Sequence, residues 1–165
     1  MKRSSLMDGS ATLNYAGVAA ALGGLLGLAG VYLSWFRYSY PVSGGTITQY
    51  VNGSEDWTGQ VAFIAGIATF AFAVAYVLMT DPQIRRLTGP LMAMAAVILL
   101  AASIAGLFRV DAATADPVLL GAAVGGVNVA TSVAGGLLVS AIGGIFAVAG
   151  AALSIKGSDQ VAARA

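Results

Sequence analysis

Long apolar tracts separated by short polar stretches set the pattern of this chain. Residues 15–36, 60–79, 91–108 and 133–155 contain no Asp, Glu, Lys or Arg. A hydrocarbon core about 30 Å thick is crossed by about 20 residues of helix, and each tract is close to that length. The pattern predicts an all-α membrane protein, a four-transmembrane-helix bundle folded as one integral membrane domain over residues 1–165. The first tract is too long and too rich in glycine for a cleaved signal peptide, so it counts as a span. The tract from Val118 to Ile155 is nearly twice the length one span needs, and something must interrupt it. Gly125, Gly126, Asn128, Thr131 and Ser132 make its first part a poor helix core, which places 118–132 outside the bilayer or in its interface.

One segment departs from the helical pattern. From Tyr38 to Val51 aromatic and β-branched residues alternate with polar ones around Gly44-Gly45, which predicts a small extracytoplasmic β-hairpin between helices 1 and 2. A two-residue turn at Gly44-Gly45 pairs Val42 with Ile47, Tyr40 with Gln49 and Tyr38 with Val51. Tyr38, Tyr40, Val42, Ile47 and Val51 then share an apolar face, while Ser39, Pro41, Ser43, Thr46, Thr48 and Tyr50 share the other. A two-stranded ribbon is marginal in water unless its apolar face is covered. Either it folds down on its own helix ends and the segment after Pro117, or its face or open edge meets a second protein or another copy of the chain. The five apolar residues are the candidate partner contacts.

Small residues predict how the spans associate. Ala16, Ala20, Gly23, Gly27, Gly30 and Ser34 recur at alternating steps of four and three, as do Gly136, Ser140, Gly143, Ala147, Gly150 and Ser154. Apolar helices in lipid gain nothing by burying more hydrocarbon, and close backbone approach along such stripes brings them together. Spans one and four are therefore expected side by side and antiparallel, with a period of about 3.5 suiting a left-handed seam.

Charge adds orientation. Lys2, Arg3, Arg85, Arg86, Lys156 and Arg164 fall on one side of the predicted bilayer and only Arg37 and Arg109 on the other. Basic residues are retained on the cytoplasmic side, so both termini are expected in the cytoplasm, in the plasma membrane, with loops 37–59 and 109–132 outside. A five-span arrangement would put Lys156 and Arg164 outside. Trp35, Phe36 and Trp57, with Arg37 and Arg109, are expected as anchors at the outer interface. Phe36-Arg37 and Phe108-Arg109 end spans one and three alike, which such an interface favours without any duplication.

Composition narrows the chemistry. The chain is 58% hydrophobic and 9% charged, with a mean hydropathy of +0.86, no cysteine and no histidine. Thiolate and imidazole chemistry are thereby excluded. Glu55, Asp56, Asp111 and Asp116 match no calcium-loop spacing and read as solvated acids. Asn52-Gly53-Ser54 is a glycosylation tripeptide and equally a turn. The spans offer only hydroxyls such as Ser34, Thr69, Ser103, Ser140 and Ser154, which bond back to the preceding turn. No catalytic, metal-binding or cofactor-binding residue is expected, the protein is not expected to be an enzyme, and the net charge of +1 indicates no nucleic acid.

Four spans, cytoplasmic termini and a β-ribbon in the first outer loop resemble the layout of claudin and peripheral-myelin tetraspan proteins. The Trp, Gly-Leu-Trp and paired cysteines of that family are missing, since Trp57 is followed by Thr58 and Gly59. No residue role is carried over. The expected function is a non-enzymatic structural or accessory subunit of a membrane protein assembly, in contact with the lipid bilayer and with other membrane proteins or copies of itself. The alternative is a small oligomeric pore or transport-related protein for neutral solutes.

Overall fold

The structure, a computed structural model, describes residues 4–42, 44–79, 81–115 and 130–162. Lys2, Arg3, Arg164 and most of the segment 118–132 lie outside the described residues, as does the side chain of Val42. Four long helices, α1 (Ser4–Tyr32), α2 (Trp57–Leu78), α3 (Pro82–Ala115) and α4 (Gly135–Ala162), and three strands, β1 (Ser34–Val42), β2 (Gly45–Asn52) and β3 (Ala130–Val133), follow the order α1-β1-β2-α2-α3-β3-α4. Each helix contains a stretch long and apolar enough to cross a membrane: Tyr15–Tyr32, Trp57–Leu78, Gln83–Arg109 and Gly135–Lys156.

The helices overrun the expected spans, α1 from Ser4, α3 to Ala115 into the expected outer loop and α4 to Ala162, and two further boundaries have a specific cause. The first helix ends at Tyr32, not at 36, because Trp35 and Phe36 belong to β1. Their apolar character reads the same in a span and in a strand. The third helix starts at Pro82 and runs through Pro90. Proline ends helices in water because it lacks an N–H, but the spans of membrane proteins tolerate it where neighbours satisfy the freed carbonyl.

Backbone proximity holds α1 against α4. A methyl group built on Gly23 would overlap the backbone N of Ala147, and one on Gly143 would sit 2.5 Å from the N of Gly27. Built on Gly30 it would lie 2.5 Å from the N of Ser140, and on Gly150 2.5 Å from the N of Ala20. Rising numbers on α1 meet falling numbers on α4, so the pair is antiparallel. Gly27 differs from its neighbours, for its Cβ would meet the side chain of Leu99 on α3. A second line of contact joins α1 to α2, where a methyl on Gly24 would come within 2.9 Å of the N of Phe70.

These contacts follow an approximate two-fold relation. Buried Ala16, Ala20, Gly23, Gly27 and Gly30 on α1 have buried counterparts in Gly136, Ser140, Gly143, Ala147 and Gly150 on α4. Thr58, Ala65, Gly66, Thr69 and Ala73 on α2 likewise correspond to Thr88, Ala95, Ala96, Leu99 and Ser103 on α3. The Gly24 contact with Phe70 is matched by one between Gly144 and Leu100. The relation pairs α1 with α4 and α2 with α3, so the two Phe-Arg pairs are not equivalent. Phe36 is buried in β1, whereas Phe108 is exposed on α3.

Among the described residues few polar groups enter the interior, and all but the buried Thr131 hydroxyl on β3 have a hydrogen-bond partner. Thr69 donates to the Ala65 carbonyl at 2.8 Å and Ser154 to that of Ala151 at 2.7 Å. Ser103 donates to the Leu99 carbonyl at 2.9 Å, which leaves its oxygen to accept from Ser140 across the α3–α4 contact, also at 2.9 Å.

Overpacking a filled contact costs about 1 to 3 kcal/mol. Gly23→Ala and Gly143→Ala should each lower thermal stability in detergent by amounts in that range, because the obstructing atoms are backbone. Gly27→Ala should cost less, since the Leu99 side chain can turn aside, and Gly135→Ala, whose methyl meets nothing within 4 Å, should be neutral. Equal effects at all four positions would contradict the seam.

Candidate functional site

The expected two-stranded hairpin is a three-stranded antiparallel sheet in the order β2-β1-β3, which corrects the expectation. The third strand, Ala130–Val133, takes the end of 118–132 and the first residue of the expected fourth span, and pairs with residues 36–39 of β1. Four residues without apolar alternation carry too little pattern to announce a strand.

The register is also corrected. Val42 pairs with Gly45, Tyr40 with Ile47 and Tyr38 with Gln49, each two positions tighter than the primed Gly-Gly turn would give. That turn needs positive φ at both central residues, whereas among the described residues only Gly44 takes one, at 106°. A shift of two residues preserves the alternation of faces, so Tyr38, Tyr40, Ile47 and Val51 still lie on one side.

At the base of β1 the ladder is interrupted. Ser34 pairs with Asn52 and Phe36 with Val51, which leaves Trp35 as the extra residue of a bulge. A bulge re-aims a side chain that strict alternation would send to the opposite face. Trp35 is fully buried and Phe36 nearly so. Both were expected as interface anchors, and both are core residues instead. The Trp35 indole donates to the Gly30 carbonyl at 2.9 Å, a carbonyl at the end of α1 that also accepts from the Leu33 N–H at 3.2 Å. Its ring lies against Gly53 and Gly106, where an added methyl would come within 2.5 Å and 2.9 Å of it.

Tyr38 joins the same buried cluster, with Tyr40 and Val51 packed half-buried against it. Farther out the ribbon emerges, and Ile47 and Tyr50 are each 57% exposed. Of the five candidate contact residues, then, three are engaged by the protein's own core and Ile47 is free.

Asp56 fastens the sheet end of the bundle. Its carboxylate caps α2 by accepting from the Thr58 N–H at 2.8 Å and pairs with the Arg109 guanidinium of α3 at 2.9 Å. Arg109 also lies 5.7 Å from the Trp57 ring centre, and Trp57 is exposed. Arg37 is exposed on β1. At the opposite end buried Tyr76 donates to the Ser154 carbonyl at 3.2 Å beneath the guanidinium of Arg85. Among the described residues no three His, Cys, Asp or Glu side chains gather as a metal site would require. Between α2 and α3 runs a groove of about 240 Å³ with no polar lining, bordered by Ile64, Phe72, Met94 and Ile98.

No protein-family model matches the chain, and no curated protein resembles it significantly in sequence.

Burial pushes the Tyr38 phenol above its ordinary pKa, helped by the Asp56 carboxylate and by Tyr40, against an opposing pull from Arg109. A raised value in the fold favours the neutral phenol. The contribution to stability is therefore complete below about pH 10, where the unfolded phenol also keeps its proton, and is lost as pH rises through the folded value. Tyr38→Phe should flatten the alkaline limb of a plot of melting temperature against pH. Identical limbs in the two proteins would contradict the burial of this group.

Proposed function

We propose that the protein is a non-enzymatic structural or accessory subunit of a membrane protein assembly, and that the outer half of its β-ribbon is the docking surface. The observation that carries this reading is the division of the ribbon. Its base is locked into the bundle through Trp35, Phe36 and Tyr38, while the part from Gly44 to Tyr50 stands exposed with Ile47 and Tyr50 uncovered. A sheet needed only to seal the helix ends has no use for that length, and exposed apolar side chains on a rigid support are what a partner surface consists of. In this reading the basic residues at the other end of the bundle face the cytoplasm of the plasma membrane, and the sheet faces outward.

Ile47→Ser together with Tyr50→Ser should leave the melting temperature in detergent almost unchanged, since surface changes stay within about 0.5 kcal/mol. The same pair should strip the protein of whatever co-purifies with it from its native membrane. Retention of that assembly by the double variant would refute the docking role.

Orientation is tested separately, because the chain has no cysteine of its own. Cysteine introduced at Glu55 should react with an impermeant thiol reagent on intact cells, and cysteines at Ser4, Gln83 and Ser158 should not. Labelling at Ser4 or Gln83 but not at Glu55 would invert the topology, and labelling at Ser158 but not Ser4 would require a fifth span.

A further inference from the structure

The three strands leave two sheet edges, and the chain treats them differently. The β3 edge is only four residues long. Among the described residues nothing pairs with β1 on that side past Ser39, and Pro41, which follows, offers no N–H. Short edge strands and prolines are common means of preventing strand addition. The β2 edge has neither device. Its eight residues, Gly-Thr-Ile-Thr-Gln-Tyr-Val-Asn, hold no proline and no charge, and all but the last two are exposed.

The backbone groups on that edge can be assigned. Ala134 N–H donates to the Trp35 carbonyl at 2.8 Å, so Trp35, and by alternation Arg37 and Ser39, direct their peptide groups toward β3. Phe36, Tyr38 and Tyr40 then bond to their partners Val51, Gln49 and Ile47 on β2. Alternation along β2 turns the N–H and C=O groups of Thr46, Thr48 and Tyr50 outward, away from β1.

We propose that this edge pairs with the same edge of a second copy, antiparallel about Thr48, to form a continuous six-stranded sheet across a two-fold axis. The proposal rests on the reading of the ribbon as a docking surface and names the occupant. Its basis is self-complementarity. Centred on Thr48, the pairing sets Thr48 opposite its mate and Thr46 opposite Tyr50, so each outward donor faces an acceptor. Thr–Thr and aromatic–β-branched pairs are favourable cross-strand combinations. Arg37 is the only charged residue in the three strands and lies next to Tyr50 on the neighbouring strand, away from the two-fold axis. An isologous dimer uses one patch twice.

The test uses the purified chain in phosphatidylcholine vesicles, where no other protein is present. Thr48→Cys should give a disulfide-linked species of twice the chain mass under mild oxidation, since residues opposed in a hydrogen-bonded pair bring their Cα atoms to about 5.5 Å. Thr46→Cys and Tyr50→Cys should not crosslink alone but should crosslink when mixed. Thr48→Lys, which sets two ammonium groups face to face, should weaken self-association about tenfold with the melting temperature unchanged. No crosslink at Thr48, or equal crosslinking at all three positions, would overturn the proposal. In native membranes, a Thr48→Cys link to a different protein in place of the second copy would overturn it while leaving the docking reading standing. If Ile47→Ser with Tyr50→Ser keeps the native assembly while Thr48→Cys still crosslinks, the accessory reading fails and the dimer remains.

Discussion

Apolar helices in an apolar solvent lack the force that drives folding in water, so their cohesion depends on how closely their backbones approach. In this protein that requirement falls on the contact between α1 and α4. Gly23, Gly30, Gly143 and Gly150 present no side chain, and the peptide groups of the facing helix occupy the space a methyl would need. Once these two helices touch along their length, α2 and α3 are left to pack on either flank, and the correspondence of buried positions follows. Close contact also leaves little room inside, so the interior is closed by small hydroxyls bonded to carbonyls and to one another.

The same contact creates a problem at its ends. Helices drawn together along a small-residue seam stop at the bundle termini with open carbonyls and gaps where glycine faces glycine. The chain fills one end with Trp35 and the other with Tyr76. Each is a large ring set among glycines, and each donates a hydrogen bond to a backbone carbonyl of a neighbouring turn or helix. The β-ribbon is thus first a support for a plug. Its bulge turns Trp35 inward beside Phe36, its central strand adds Tyr38, and Asp56 ties α2 and α3 together beneath it. Only after those demands are met does the ribbon have residues to spare, and these are the ones that stand exposed.

Glycine periodicity was readable along the chain because a helix converts sequence spacing directly into a face, and the stripes of α1 and α4 need no knowledge of what they meet. The aromatic residues after α1 were misread for the opposite reason. Trp35 and Phe36 are apolar beside a membrane span, and that character suits an interface anchor as well as a core residue. What separates the two is a bulge, one unpaired position whose existence depends on where β2 ends. The register of β1 and β2 was similarly out of reach, because two glycines at the turn permit either pairing and only the backbone at Gly44 and Gly45 distinguishes them.

The sequence by itself determined four apolar helices, the faces by which two of them approach, and a ribbon with one apolar side. Those properties are local, set by the period of a helix or a strand and by residue size. The third strand, the inward turn of Trp35, the ion pair between Asp56 and Arg109 and the open edge of β2 were decided only by tertiary structure. Each depends on two segments far apart in the chain arriving at one place. Ala130–Val133 becomes a strand because β1 has a free side, and Arg109 is paired because α3 passes the start of α2 at that residue.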